Sequence, residues 1–329
     1  MLVSVVIPCF NSLKYLPDTL HAVLAQELPV SLQHQFEVIL VDDGGSDDLK
    51  AWVEQQGDDR VRLVRQENAG VSAARNLGIA ACTGEFVAFC DSDDMWNPHA
   101  MADLYNCFLK DPRIGLAYGF YEVVDASGTS TGRIRKSAVQ GDGWELFLTS
   151  NPVGASGVMV RSKVFEQVGV FAENRDRFKV DVEDWELWIR IAALWRVALT
   201  PTVVVRYRRH EGNSSTDLDS LDAAYRNMID VVFADVDARR ASLRPLAEGN
   251  VAMILAWQSL NDAQDPIRAL RYLRQASAAA PELGRTVEYW RLRTATAALR
   301  ATGTSGYQFL RSANGLKLRL TRRRSHQGG

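Results

Sequence analysis

No uninterrupted run of about 18 apolar residues occurs in this 329-residue chain, so no membrane-spanning helix is expected. The nearest candidate, Ile191–Val205, is broken by Arg196 and Pro201. Val3–Ile7 is too short for the apolar region of a signal peptide and runs straight into Pro8, so no leader is expected either. Cysteine is scarce: Cys9, Cys82, Cys90 and Cys107 show no CxxC spacing and no His-rich neighbourhood. That excludes a disulfide frame and a zinc site and fits reduced thiols in a reducing compartment. Charge of either sign is not in excess. A formal net charge of -2 gives no global attraction to nucleic acid, and no nucleic-acid partner is expected. Neither GxGxxG nor a P-loop is present, which argues against dinucleotide and ATPase chemistry. The remaining picture is a cytoplasmic protein, with peripheral attachment to the inner face of a membrane as the variant left open.

What is present suits a globular chain: 47% hydrophobic and 24% charged residues, and enough length for one large domain plus an appendage. The first part alternates strand-like and helix-like segments. Ser4–Ile7, Phe36–Val41, Val61–Val64 and Glu85–Cys90 read as strands. Leu13–Gln26, Leu49–Gln56, Val71–Ala81 and Pro98–Leu109 read as helices. This alternation implies βαβ units, an α/β class and a mainly parallel sheet flanked by helices. Each strand runs into a polar or glycine-rich loop: Pro8–Asn11, Asp42–Ser46, Glu67–Gly70 and Asp91–Asp94. Ligands of open α/β sheets bind beyond the carboxyl ends of the strands, so four loops are expected at one site. Further on, Asp125–Gly132 reads as a hairpin turn, Gly157–Arg161 as a strand, Val182–Trp195 as a helix and Thr202–Tyr207 as a strand.

The loops carry chemistry. Asp91, Asp93 and Asp94 place three carboxylates in four residues, tolerable if a cation sits among them or if water screens them. Oxygen ligands suit Mg²⁺ or Mn²⁺, which also bind phosphate. A solvated loop with Asp94 as a helix cap is the plainer alternative. Asp42 and Asp43 can accept hydrogen bonds from a uracil N–H or ribose hydroxyls, and Gly44 and Gly45 allow close backbone approach; a turn plus helix cap explains them equally. Arg75 can reach a base or phosphate from a helix start, or form a surface ion pair. His210, between Arg209 and Glu211, can ligate a metal or touch phosphate; Arg208 and Arg209 can do the latter. Glu183-Asp184 opens a Trp-rich helix. Alone this reads as capping with Asp181, although an anion held at a helix start can also act as a general base.

Taken together, SVVIPCFN (Ser4–Asn11), VDDGGSDD (Val41–Asp48), ENAGVSAARNLGIAACTGEFVAFCDSDD (Glu67–Asp94), VGVFAE (Val168–Glu173), EDWELWIR (Glu183–Arg190) and YRRHEGNSS (Tyr207–Ser215) resemble, in order and spacing, the family-2 inverting glycosyltransferases of bacterial polysaccharide and glycoconjugate synthesis. The resemblance covers about the first 215 residues and implies the GT-A fold, the nucleotide-diphospho-sugar transferase architecture. It implies that Pro8, Cys9 and Asn11 lie in the nucleotide-binding loop, with Asn68, Gly70, Arg75 and Ser92 also at the donor. Asp43 is expected at the uracil with Asp42 beside it, Asp91 at ribose or metal, and Asp93 as principal metal ligand. His210 would assist the metal or diphosphate, and Asp184 would be the catalytic base. The implied cofactor is Mn²⁺ or Mg²⁺; the implied substrates are a UDP-linked sugar and a hydroxyl of a glycan, lipid-linked glycan or other acceptor. The second loop departs from the family pattern with Gly-Gly-Ser where Gly-Ser is usual, which bears on the shape of its turn. A nucleotidyltransferase of similar fold would want a glycine-rich basic loop where Pro8–Ser12 stands. A non-catalytic donor-binding scaffold is the other alternative.

The expected organisation is a GT-A domain over 1–215, a helical region over 216–310 and a basic, disordered tail over 311–329. Ala269, Leu273, Ala276 and Pro281 have the spacing of a tetratricopeptide second helix, but Trp257 stands where glycine is usual, so a helical hairpin is expected rather than a repeat array. These helices are candidates for self-association. The tail, with Lys317, Arg319, Arg322, Arg323 and Arg324, is a candidate for weak, salt-sensitive contact with anionic lipid. Acceptor contacts are expected from Asp142–Ser156 and Arg175–Lys179.

Overall fold

A computed structural model of the chain describes residues 2–28, 35–148, 151, 153–173, 182–212, 218–234, 236–261 and 263–303. The expected acceptor segment Arg175–Lys179, the cap at Asp181, the end of the last motif from Asn213 and the basic tail lie outside these residues. Two compact units emerge: Met1–Ser215 with Asp230–Ala234, and Thr216–Ile229 with Asp235–Gly329.

The strands of the first unit are β1 (Val3–Cys9), β2 (Phe36–Asp42), β3 (Val61–Arg65), β4 (Phe86–Phe89), β5 (Met95–Trp96), β6 (Ile114–Val124), β7 (Ser130–Arg135), β8 (Val158–Arg161) and β9 (Arg196–Arg208). Its helices are α1 (Leu16–Leu24), α2 (Leu49–Gln56), α3 (Val71–Ala81), α4 (Ala100–Phe108), α5 (Trp144–Phe147), α6 (Lys163–Val168) and α7 (Glu183–Leu194). One sheet runs in the order β3-β2-β1-β4-β8-β6-β9-β5, with β7 paired to β6. β3, β2, β1 and β4 are mutually parallel; beyond β4 the sheet is mixed, since β8 runs against both β4 and β6. β1 and β2 are buried at every position, as β-branched and apolar runs covered on both faces must be. The register Val3↔Phe36 to Cys9↔Asp42 brings the ends of β1 and β2 level, so their loops emerge side by side.

Helix α3 lies so close to the sheet that a Cβ on Gly78 would stand 2.3 Å from Val6 Cγ1. Helix α7 buries Trp185, Trp188 and Ile189, and Trp188 meets Phe171 at 5.8 Å and Phe89 at 6.3 Å. The expected strands and helices of the first hundred residues are present within a few positions. The eleven-residue β6 was not expected. Its apolar pattern is interrupted by Gly115 and Gly119, which Trp195 and Val204 press against: added Cβ atoms would fall 2.6 Å from each. Close packing there demands glycine, and glycine hides the strand. β9 begins at Arg196 rather than Thr202 and carries Pro201 within it.

α8 (Leu218–Val232) belongs to the second unit up to Ile229, and that unit continues with α9 (Ala238–Ala241), α10 (Arg244–Asn261), α11 (Pro266–Ala279) and a helix over 287–303. α10 and α11 pack as the expected hairpin. Ala269, Tyr272, Leu273 and Ala276 are buried, while Trp257 stays on the exposed side with its indole N–H donated to Glu288. Among the described residues, no helix is long and apolar enough to cross a membrane.

Candidate active site

The loops at the carboxyl ends of β1, β2 and β4, with the starts of α3 and α7, border a cleft of about 670 Å³. From the first loop, Pro8, Cys9 and Phe10 line it. The Cys9 thiol is buried and pushed up to about 12 by that burial, so it is no nucleophile. Asn11, in a left-handed conformation (φ 51°), does not line the cleft. Its Oδ1 accepts from Ser46 N (2.7 Å) and Ser46 Oγ (3.0 Å), tying the first loop to the second. The extra glycine of the second loop has its explanation here. A Cβ on Gly45 would stand 2.9 Å from both Asn11 N and Asp47 Oδ1.

Asp42 and Asp43 divide their duties. Asp42 is buried outside the cleft: Oδ1 accepts the N–H groups of Gly44 and Gly45 (both 3.1 Å), and Oδ2 accepts from Arg65 (2.8 Å). It shapes the turn. Asp43 lines the cleft and organises the loop before α3. Oδ1 accepts from Gln66 Nε2 (2.7 Å) and Ala69 N (2.8 Å), Oδ2 from Gly70 N (2.9 Å) and Asn68 Nδ2 (3.3 Å). Four donors occupy about all the lone-pair directions a carboxylate has. Asn68 and Gly70, held this way, also face the cleft.

The acidic loop after β4 is braced from several elements. Thr19 of α1 donates to the Ser92 carbonyl (2.9 Å), and the Asp91 N–H is donated to Ser156 Oγ (2.7 Å). Buried Arg75 joins Asp91 to Glu183 through two 2.7 Å bonds. Burial works against its charge, but Asp91 and Glu183 outweigh that and hold the guanidinium charged. Arg208 is also buried. It donates to the Asp93 carbonyl and Asp18, and its N–H to Asp94 Oδ1 (each 2.9 Å), so it is a brace rather than a phosphate-facing cation. Burial, then the neighbouring Asp91 charge, raises the Asp93 carboxyl above its ordinary range. Burial and Asp93 raise Asp94 well above it. Burial and mutual repulsion thus both work against full ionisation of this loop.

His210 stands behind Asp93, its Nε2 2.9 Å from Asp93 Oδ2 and its ring stacked on Tyr15 at 4.7 Å. The Gly212 N–H is donated to Nδ1 (3.1 Å), so the neutral ring carries its proton on Nε2 and donates it to Asp93. As a metal ligand through Nε2 it would have to exchange tautomer and give up the Gly212 bond. Among the described residues, no three His, Cys, Asp or Glu side chains converge as a ready-made metal cage. The residues present do fit a hard cation that arrives with phosphate and water ligands. Asp93 and Asp91 offer carboxylate oxygens at the cleft wall, and carboxylates crowded this closely favour a cation between them.

Asp184 faces the cleft from the first turn of α7 and accepts the N–H of Trp185. Asn151 Nδ2 lies 3.4 Å from its Oδ1, and Gly154 stands opposite. An anion at a helix start beside open cleft can accept a proton from a bound hydroxyl. The structure therefore brings Pro8, Cys9, Asp43, Asn68, Gly70, Arg75, Asp91, Ser92, Asp93 and Asp184 to one cleft; Asn11, Asp42 and His210 support it from behind. Also in the walls are Phe10, Ala155 and Tyr207, which fall in the first loop, the expected acceptor segment Asp142–Ser156 and the last motif, and Glu183, to which sequence reasoning gave no role of its own. The signal for Glu183 was its place as the first acid of the pair that opens α7.

The Glycosyl transferase family 2 profile matches residues 4–168, half of the chain. The chain belongs to glycosyl transferase family 2. An uncharacterized glycosyltransferase of Nostoc sp. is 27% identical to this chain over 234 residues, covering 65% of this chain and 66% of that protein. TuaG of Bacillus subtilis, named for teichuronic acid biosynthesis, is 29% identical over 187 residues, covering 56% of this chain and 70% of the relative. Other relatives are longer: the matched region spans 36% of a Rickettsia felis glycosyltransferase. The fold is shared with TarS 1-349 of S. aureus, at TM-score 0.60 and 17% identity, covering 96% of this chain and 92% of that one. It is shared as well with the mannosyltransferase PcManGT of Pyrobaculum calidifontis, at TM-score 0.56 and 20% identity, covering 90% and 84%. The first unit of this chain thus has the GT-A fold, and helices follow it in the chain.

Proposed function

We propose that this family-2 protein is an inverting glycosyltransferase that moves a sugar from a nucleoside diphosphate donor, uridine-linked, to a hydroxyl of a glycan, lipid-linked glycan or comparable acceptor, with Mn²⁺ or Mg²⁺ at Asp93. One observation carries this: a single cleft holds the acidic loop Asp91–Asp93 and, from a helix about ninety residues later in the chain, the carboxylate of Asp184. The former suits a cation-bound diphosphate and the latter suits a base. TarS has been solved with UDP-GlcNAc and with UDP, and PcManGT with GDP-Man and Mn²⁺, which supports a nucleotide sugar and a divalent ion in this fold.

In this reading the wall formed by Pro8, Asp43 and Asn68 receives the base, with Asp43 acting through the loop it holds. Asp91, kept in place by Arg75, faces the ribose, and Asp93 is kept in orientation by His210. Asp93 and Asp91 would hold the cation, which when bound would supply positive charge against that developing on the departing diphosphate. Asp184 takes the proton of the acceptor hydroxyl, whose oxygen attacks the anomeric carbon from the side opposite the leaving group, so the configuration inverts.

Calorimetry with UDP, with and without Mn²⁺, tests the donor half. Wild type is expected to bind UDP more tightly with Mn²⁺, and Asp93→Ala to lose that increment. Absence of UDP binding under both conditions would sink the donor assignment. Asp184→Asn is expected to keep UDP binding and lose transfer by roughly 100- to 10,000-fold. Normal turnover by that variant would remove Asp184 from its role.

A further inference from the structure

Strand β7 is exposed at every position and forms the outer edge of the β6–β7 hairpin. Its pairing sets Arg135 opposite Tyr121 and Arg133 opposite Val123. Directly opposed residues on neighbouring strands carry their side chains on one face. On the other side of β6, β9 sets Val123 beside Tyr207 and Tyr121 beside Val205. Arg133, Arg135, Tyr121 and Tyr207 therefore share a face of the sheet. Tyr207 continues that face into the cleft, where it lines the wall with Asp93 and Asp184, and its ring meets Tyr121 edge-on at 5.9 Å. The intervening Ile134 pairs with Glu122 and so belongs to the opposite face, and Lys136, which follows Arg135, sets its Nζ 5.7 Å from the Phe120 ring. The Tyr121 hydroxyl, raised chiefly by burial, feels Arg135 and Arg209 as well as Asp184 and Asp94. The positive and negative groups thus border the same tyrosine. Among the described residues, Arg133 and Arg135 have no acidic partner.

Residues two positions apart on a strand have their Cα atoms about 7 Å from each other, and two guanidinium groups carried at that spacing can converge on one phosphate or carboxylate. We propose that this face is the acceptor subsite, and that the acceptor carries an anion, phosphate or carboxylate, near the hydroxyl that reacts at Asp184. The proposal rests on the transferase reading above. Charge on an edge strand also discourages edge-to-edge pairing. That role would not discriminate between acceptors, which makes the two separable.

The test uses the full chain with UDP and Mn²⁺ present and ligand-observed NMR of matched probes: glycerol against glycerol 3-phosphate, and glucose against glucuronate. The expected result is that one anionic probe binds at least about tenfold more tightly than its neutral partner. The double substitution Arg133→Gln/Arg135→Gln should abolish the preference, and Arg133→Lys/Arg135→Lys should retain part of it. Which pair responds tells phosphate from carboxylate. Equal binding of charged and neutral probes overturns the proposal, as does a preference that survives the Gln double variant. Loss of UDP affinity in that variant also overturns it, because the arginines would then serve the donor. UDP binding by wild type, scored separately by calorimetry, reports on the transferase reading. UDP binding without anion preference sinks the acceptor proposal alone; no UDP binding sinks both.

Discussion

At the scale of single residues, the guanidinium of Arg75 does more than the sequence suggests. Its place at the start of α3 points to a ligand contact, and it does line the cleft. Its two nitrogens, however, are spent on Asp91 and Glu183, 16 and 108 positions away. Partners that remote leave no spacing signature, so this link between the acidic loop and the base-bearing helix could not be read in advance. Arg75→Ala would leave Glu183 buried without its cation, and removal of one partner from a buried pair costs about 3–5 kcal/mol. Urea unfolding should show that loss. Arg75→Lys, a point charge on a single stem, can serve one carboxylate well but not both. It should recover part of the stability while transfer stays well below wild type. Wild-type stability in Arg75→Ala would mean the triad contributes nothing. Asp42 and Arg208 teach the same point. A carboxylate or guanidinium near a site is legible as a residue type, but whether it faces ligand or backbone depends on neighbours from other elements.

At the scale of elements, the sheet has a reactive end and a structural end. Opposite the cleft, Glu37 of β2 accepts from Ser4 of β1 (2.7 Å), Thr83 before β4 (2.6 Å) and Arg62 of β3 (2.8 Å). Burial pushes its carboxyl up, but the Thr83, Ser4 and Arg62 bonds outweigh it and hold the group at about 2 against an ordinary 4.5. A carboxyl depressed in the folded state stabilises fully above its unfolded value and loses that contribution as pH falls toward its folded one. Stability is therefore expected to decline between pH 4.5 and about 2, by on the order of 3 kcal/mol from this group. Glu37→Gln should flatten that part of the stability profile and lower the plateau at neutral pH. An unchanged acid limb would refute the assignment. The strands that meet here were visible because buried parallel strands read as continuous apolar runs. β6 was not, because Gly115 and Gly119 replace apolar residues where Trp195 and Val204 crowd in. Gly78 marks the same kind of approach between α3 and β1. Gly78→Ala should cost about 1–3 kcal/mol through overpacking against Val6, with little change in the slope of urea unfolding.

At the scale of the whole molecule, every residue that lines the cleft belongs to the first compact unit. The second unit has a core of its own, with Leu255, Ala256, Ala269, Tyr272, Leu273 and Leu292 buried. Its helical character was legible from apolar spacing, but spacing carries no chemistry, and no function could be read from it. The division has a consequence for ligand binding. A ligand that binds only the folded first unit stabilises it by about 2.7 kcal/mol at a hundred times its dissociation constant. That stabilisation must appear where the contacts are made. Hydrogen exchange with UDP and Mn²⁺ should therefore slow amides in the loops around residues 8–11, 66–71 and 90–94, which now rely on turns and side-chain caps. Amides of α10, α11 and the helix over 287–303 should exchange as before. Asp93→Ala should remove the effect at 90–94 first, because protection there depends on the cation. Protection that appears instead in α10 and α11 would move the nucleotide site into the second unit and undo the reading of the acidic loop.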